Sequence, residues 1–181
     1  DGLVVTNDHV ITLSGGAGLD ADGQRLAAER IEVRLLDGSR LEATVVGRAP
    51  GYDLAFLAVD AVDLPAAALI DDLEDVEEGA LAVAIGASSN LERPVTVGQV
   101  TDILRNVHSS SLPELTVLIE SNVPLDQGNS GGPLLDEYGR VMGINVAVAL
   151  HNGGSVDEAG SSSLAIPAPV VLDTLATLEG N

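Results

Sequence analysis

Apolar and polar positions alternate along much of this chain with a period of two, the spacing of strands whose side chains point to opposite faces. Leu3-Val4-Val5-Thr6 reads as a strand behind the turn residues Asp1-Gly2. Ile31, Val33 and Leu35 alternate with polar neighbours, Asp37-Gly38 supplies a hairpin turn, and Leu41, Ala43 and Val45 alternate again. The uninterrupted apolar run Leu54-Ala55-Phe56-Leu57-Ala58-Val59 fits a short buried strand. A second series of strands is expected over residues 79–85, 94–104, 115–120, 140–150 and 162–166. Residues 13–28, 86–90 and 152–162, polar or rich in glycine and serine, are expected as loops.

Only the end of the chain changes period. Pro169 suits a first helical position, Val171, Leu172, Leu175 and Leu178 fall on one face, and Gly180 suits a C-terminal cap. Between the two strand series, residues 60–78 are rich in alanine and acidic side chains, as a solvated connection would be. The expected organisation is a first β unit at 1–59, an acidic connection at 60–78, a second β unit at 79–167 and a helix within 168–181. Many short strands with regular turns and one terminal helix make this an all-β barrel or sandwich.

Composition narrows the chemistry. With 181 residues the chain can bury a real core, yet it holds two tyrosines, one phenylalanine and no tryptophan, so that core must be built from aliphatic side chains. The absence of cysteine excludes a disulfide framework and a thiolate metal site. No stretch approaches the roughly 20 apolar residues of a membrane span. The opening residues are not expected to be a signal peptide. The formal charge is −20, from 28 acidic residues against eight basic ones, all eight arginine. So acidic a surface argues against nucleic acid as a partner, because that binding sets cations against phosphates. The same acidity makes the fold salt-sensitive: self-repulsion is strongest at low ionic strength and is screened by added salt. The melting temperature should therefore rise clearly between low and molar salt, and a flat or falling value would leave the acidity without that role.

Candidate chemistry concentrates in Asp126-Gln127-Gly128-Asn129-Ser130-Gly131-Gly132-Pro133-Leu134-Leu135. Glycine admits positive φ and lets backbone N–H groups turn inward with no side chain in the way. Three such groups around one hydroxyl make a pocket for an oxyanion. The plainer reading is a glycine-rich turn between strands, and what counts against it is the company the serine keeps. His9 lies beside apolar residues, and Asp53 stands at the entrance to a strand. His108 and His151 sit in polar loop sequence and are expected at the surface.

His9, Asp53 and Ser130 supply a base, a carboxylate to orient it, and a hydroxyl nucleophile. Chain order separates the unrelated folds that use this trio. Gly128-Asn129-Ser130-Gly131-Gly132 formally matches the hydrolase elbow, but that elbow leads into a helix and its histidine comes last. Here Gly131-Gly132-Pro133 would spoil a first helical turn. A subtilisin-like order needs the aspartate before the histidine, and only Asp1 and Asp8 precede His9. Histidine, aspartate, serine on a β-rich chain leaves the chymotrypsin-like double barrel.

Thr6-Asn7-Asp8-His9-Val10, Asp53-Leu54-Ala55 and Gly128-Asn129-Ser130-Gly131-Gly132-Pro133-Leu134 resemble the three signature blocks of the trypsin-like HtrA/DegP serine proteases. Gly139-Arg140-Val141-Met142-Gly143-Ile144-Asn145 and Leu164-Ala165-Ile166-Pro167 are similar to that family's following strand and specificity-pocket wall. The resemblance implies two six-stranded barrels, with His9 and Asp53 in the first and Ser130 in the second. By the same match, the N–H groups of Gly128, Asn129 and Ser130 form the oxyanion hole. The chain departs from the family in lacking about two strands ahead of its first segment, so the first barrel is expected to be incomplete, with an open sheet edge. The loop Asn122-Val123-Pro124-Leu125-Asp126-Gln127 also departs from the family pattern, and the stretch at 86–93 lacks its usual aromatic residue.

Two functions stay open on these grounds. One is an endopeptidase acting on unfolded or damaged polypeptides, without metal or cofactor. The other is a binding or scaffold module that kept the fold. The resemblance further implies a cell-envelope, periplasmic or secreted setting, and leaves room for homo-oligomers formed through residues upstream of this segment.

Overall fold

The computed structural model describes residues 2–12, 18–19, 23–86, 95–105, 114, 116–125, 128–146 and 163–180. His108, His151, the 152–162 stretch, Asp126, Gln127 and most of the 86–93 stretch lie outside the described residues. The chain divides into two compact units, Asp1–Ala66 and Ala67–Asn181.

The first unit is a four-stranded antiparallel sheet in the order β1-β4-β3-β2. Its strands are β1 (Leu3–Thr6), β2 (Ile31–Arg34), β3 (Arg40–Ala49) and β4 (Leu54–Val59), all at or beside the apolar stretches of the sequence. Central β4 has nearly every residue buried, which is why it shows no alternation, whereas β2 alternates half-buried and exposed positions. Register between β3 and β4 shifts at Val45/Gly47, a bulge that bends the strand. Ile11, Ala43, Ala55, Leu57 and Val59 form the core, with Val4, Ile31, Val33 and Leu41 packed against it. Among the described residues the sheet stays open, ending on β1 and β2.

The second unit is a closed barrel in the order β10-β7-β6-β5-β8-β9. It is built from β5 (Leu81–Ile85), β6 (Val95–Arg105), β7 (Val117–Ser121), β8 (Pro133–Leu135), β9 (Val141–Val146) and β10 (Ser163–Pro167). Five of the six lie within or overlap the expected strand ranges. The short β8 was not expected, because three residues behind a glycine pair carry no periodicity of their own. Pairing to β5 and β9 makes it a strand, and Pro133, lacking an N–H, takes its first position. Ile70, Val76, Val100, Ile119, Val123, Leu134 and Met142 lie in the core of this unit. In the acidic segment the carboxylates are exposed, but Ile70 and Val76 are buried, so part of it is packed rather than solvated.

The expected helix is present as α2 (Ala168–Glu179), against β9 and β10. Its buried residues are Ala168, Val171 and Thr174, whereas Leu172 is exposed, so the apolar face is rotated from the one read in the sequence. Thr174 tolerates this because its hydroxyl donates to the Val170 carbonyl at 2.7 Å. Gly180 keeps right-handed backbone (φ −83°) and does not form the left-handed cap. The sheet of the first unit, the closed barrel of the second and the C-terminal helix together make this the chymotrypsin-type double-barrel fold.

Candidate active site

In the first unit the chain leaves β1 through Asn7 and makes one helical turn, α1 (Asp8–Ile11), which the strand-like sequence did not announce. Ile11 is buried in the core and Val10 is exposed, so the turn is anchored on one side and carries His9 half-buried on another. A 3-10 turn over Pro50–Tyr52 leads into Asp53, whose φ of 54° lies in the left-handed region. Aspartate tolerates that conformation better than most residues, and the kink brings its carboxylate back to the helical turn.

Four hydrogen bonds then join residues 7–9 to Asp53. The Asn7 side chain (3.0 Å) and the Asp8 N–H (3.1 Å) donate to the Asp53 carbonyl. The His9 N–H donates to Oδ1 at 2.9 Å, and His9 Nδ1 lies 2.7 Å from Oδ2. Asp53 is 7% exposed, buried where it meets the helical turn. A carboxylate only accepts, so the proton between them sits on Nδ1 and leaves Nε2 as the basic nitrogen of the neutral ring.

This hydrogen bond raises the His9 pKa above its ordinary 6.5. Burial opposes the rise, the charges of Asp53 and Asp8 support it, and Arg25 counters it. A histidine whose folded pKa is raised contributes stability that is fully present below the unfolded value, near 6.5. That contribution fades as pH climbs through the folded pKa. His9→Ala should therefore cost most stability below pH about 6.5 and progressively less above it, measured by denaturant titration across pH. An unchanged difference over that range would exclude the linkage.

Ser130 lies on a loop of the second unit. Gly128 has φ 112° and Gly131 φ 80°, conformations a residue with a side chain rarely adopts. The loop is docked on β9: the Gly131 N–H donates to the Asn145 carbonyl and the Asn145 N–H to the Gly132 carbonyl, both at 2.9 Å. The Asn145 side chain also donates to the Pro133 carbonyl at 2.8 Å. Gly132 packs so closely on β5 that a Cβ would collide with the Ile85 carbonyl. Asn129 is buried and Ser130 half-buried. Among the described residues, no backbone carbonyl accepts from the N–H of Gly128 or of Ser130.

The structure thus brings His9 and Asp53 into contact in one unit, and sets Gly128, Asn129 and Ser130 on one loop of the other. Asn7, Arg48 and Asn145 were not singled out from sequence. Asn7 had a local signal, an asparagine where a strand gives way to a helical turn. Arg48 and Asn145 act over distances no local pattern encodes. Among the described residues, no group of three or more His, Cys, Asp or Glu side chains converges to hold a metal, and no helix is long and apolar enough to cross a membrane.

The sequence profile of the trypsin-like peptidase domain matches residues 1–144. A Pseudomonas fluorescens protein named "Probable periplasmic serine endoprotease DegP-like" is 36% identical over 173 residues, 96% of this chain and 32% of the relative. A Halomonas elongata protein of the same name is 35% identical over 175 residues, 96% of this chain and 32% of its own length. The solved structure "HtrA-type protease AlgW with decapeptide" superposes with a TM-score of 0.77 at 30% identity, covering 99% of this chain and 49% of that one. The chain therefore spans about a third of these curated relatives and about half of the solved chain. A profile match over most of the length, a shared fold and relatives of one kind place the chain in the trypsin-like peptidase family, as an HtrA/DegP-like protease domain.

Proposed function

We propose that this domain is a serine endopeptidase using Ser130 as nucleophile, His9 as general base and Asp53 to orient it. The observation that supports this best is the His9–Asp53 contact at 2.7 Å, which leaves Nε2 as the proton acceptor. In the reaction, Ser130 Oγ attacks the peptide carbonyl carbon while its proton passes to His9 Nε2. The carbonyl oxygen becomes an oxyanion held by the N–H groups of Gly128, Asn129 and Ser130. The positive φ of Gly128 and the absence of described carbonyl partners for the N–H groups of Gly128 and Ser130 suit that role. Collapse of the intermediate breaks the C–N bond, and His9 returns the proton to the leaving amine. Water, deprotonated by the same nitrogen, then attacks the acyl carbon, the C–Oγ bond breaks, and His9 returns that proton to Ser130 Oγ. Asp53 stays ionised throughout and stabilises the imidazolium.

The substrates would be unfolded or damaged polypeptides, cleaved after small aliphatic side chains, and the setting the periplasm. The periplasmic setting and a polypeptide substrate are supported by the relatives' printed names and by a relative solved with a decapeptide. The unfolded state of the substrate and the small aliphatic preference are carried over from the family resemblance. The direct test is labelling with a serine-directed fluorophosphonate, followed by peptide mapping. Modification at Ser130, suppressed at pH values that protonate His9, is the expected result. A folded protein whose Ser130 stays unlabelled and that leaves casein intact would instead point to a non-catalytic module built on the protease fold.

A further inference from the structure

One turn of helix has no stability of its own, because forming a first hydrogen-bonded turn fixes several residues for a single bond. The turn that carries His9 must therefore be held from outside. Ile11 holds one side by entering the core. On the other side Asp8, only 5% exposed, lies in the fork of Arg48: Nε is 2.6 Å from Oδ1 and a terminal nitrogen is 2.9 Å from Oδ2. Arg48 is itself fixed. It sits on β3 opposite Ala55 of β4, and it donates to the Arg25 carbonyl at 2.8 Å. The Asp8 N–H, in turn, is bonded to the Asp53 carbonyl. A bidentate arginine–carboxylate pair fixes angle as well as distance, which a single point charge does not.

Resting on the peptidase reading, we propose that Arg48 and Asp8 are positioning residues, a clamp that sets the angle of the helical turn so that His9 meets Asp53. With Ile11 in the core and Asp8 in the fork, the turn has one rotational setting, and His9 takes the direction of the Asp53 carboxylate. Without Arg48, the Asp8 carboxylate must find other donors, and the turn rotates to reach them. Neither residue touches the reacting atoms.

The charged groups around His9 are Asp53 ahead of β4, Asp8 on its own turn, Arg25 on the adjoining loop and, through Asp8, Arg48 on β3. This makes the sign of a titration decisive. Deleting the Arg48 cation alone would raise the His9 pKa, since a nearby positive charge disfavours imidazolium. Loosening the clamp would lower it toward 6.5, because the Asp53 hydrogen bond is its chief support.

The experiment compares the parent with Arg48→Met, Arg48→Lys and the double variant Asp8→Asn/Arg48→Met, by NMR titration of His9 and by peptide-cleavage kinetics. The double variant leaves no unpaired buried charge, so it keeps the fold if Arg48→Met alone does not. The clamp requires that His9 titrate lower in Arg48→Met, which keeps the Asp8 charge. It also requires kcat to fall about tenfold with KM within about twofold, as a small misplacement of a catalytic group produces, and Arg48→Lys to recover part of the loss. A His9 pKa equal to or above the parent's in folded Arg48→Met, or an unchanged kcat in either methionine variant, overturns the proposal. The double variant is read by kcat, because losing the Asp8 charge lowers the His9 pKa by itself. A parent that neither cleaves peptides nor labels at Ser130 would defeat the peptidase reading instead, and the titration would still decide the clamp.

Discussion

Ser130→Ala will abolish both fluorophosphonate labelling and peptide cleavage while leaving the fold nearly intact. The change removes one oxygen from a half-buried side chain on a loop. It opens little cavity and strands no buried charge, so the cost in stability should stay below about 1 kcal/mol. The effect on rate is of another order. Without the hydroxyl there is no acyl-enzyme, and kcat should fall by about 10⁴ to 10⁶. What survives would come from substrate binding and the backbone donors alone. The decisive comparison is casein cleavage and thermal melting of the parent and variant side by side. Equal cleavage rates would show that Ser130 is not the nucleophile. A large drop in melting temperature would show instead that the hydroxyl serves the loop structurally.

Asp53→Asn should cost about 10⁴ in kcat, the loss this exchange produces in serine proteases. The reason lies in the proton inventory. The carboxylate of Asp53 accepts from both the His9 N–H and Nδ1–H. An asparagine that keeps its oxygen toward the backbone N–H turns its NH₂ toward Nδ1. The ring then adopts the other tautomer and presents a proton where Ser130 needs an acceptor. The substitution also removes the chief cause of the raised His9 pKa. The acidic limb of the residual activity should accordingly move to lower pH, since His9 must be neutral to act as base. A variant with lower kcat and an unmoved limb would mean that Asp53 does not set the histidine's basicity. Backbone cohesion should largely survive, because the Asn7 side chain and the Asp8 N–H bond to the Asp53 carbonyl, which the exchange leaves in place.

Much is legible in the chain itself. Residues whose role depends on near neighbours could be read directly. Alternation at Ile31, Val33, Leu41 and Ala43 marked strands, and the unbroken run over residues 54–59 marked a central one. Glycines on both sides of Ser130 marked a backbone that bends where side chains would forbid it. The order histidine, aspartate, serine narrowed the fold class because unrelated folds place these residues in different orders.

Tertiary structure decided whatever depends on residues far apart in the chain. The fork of Arg48 around Asp8 spans 40 positions, and the contact of His9 with Asp53 spans 44. Neither separation carries a periodic signal. β8 is a strand only because β5 and β9 flank it. The rotated face of α2 follows the surface of β9 and β10 beneath it, which made Thr174 a buried residue and left Leu172 exposed. The short turn at Asp8–Ile11 shows the division in one place. The sequence by itself determined that a histidine follows a strand, through the apolar run and the asparagine that ends it. Only the fold decided where that histidine faces, because so short a helix takes its orientation from what grips it at either side.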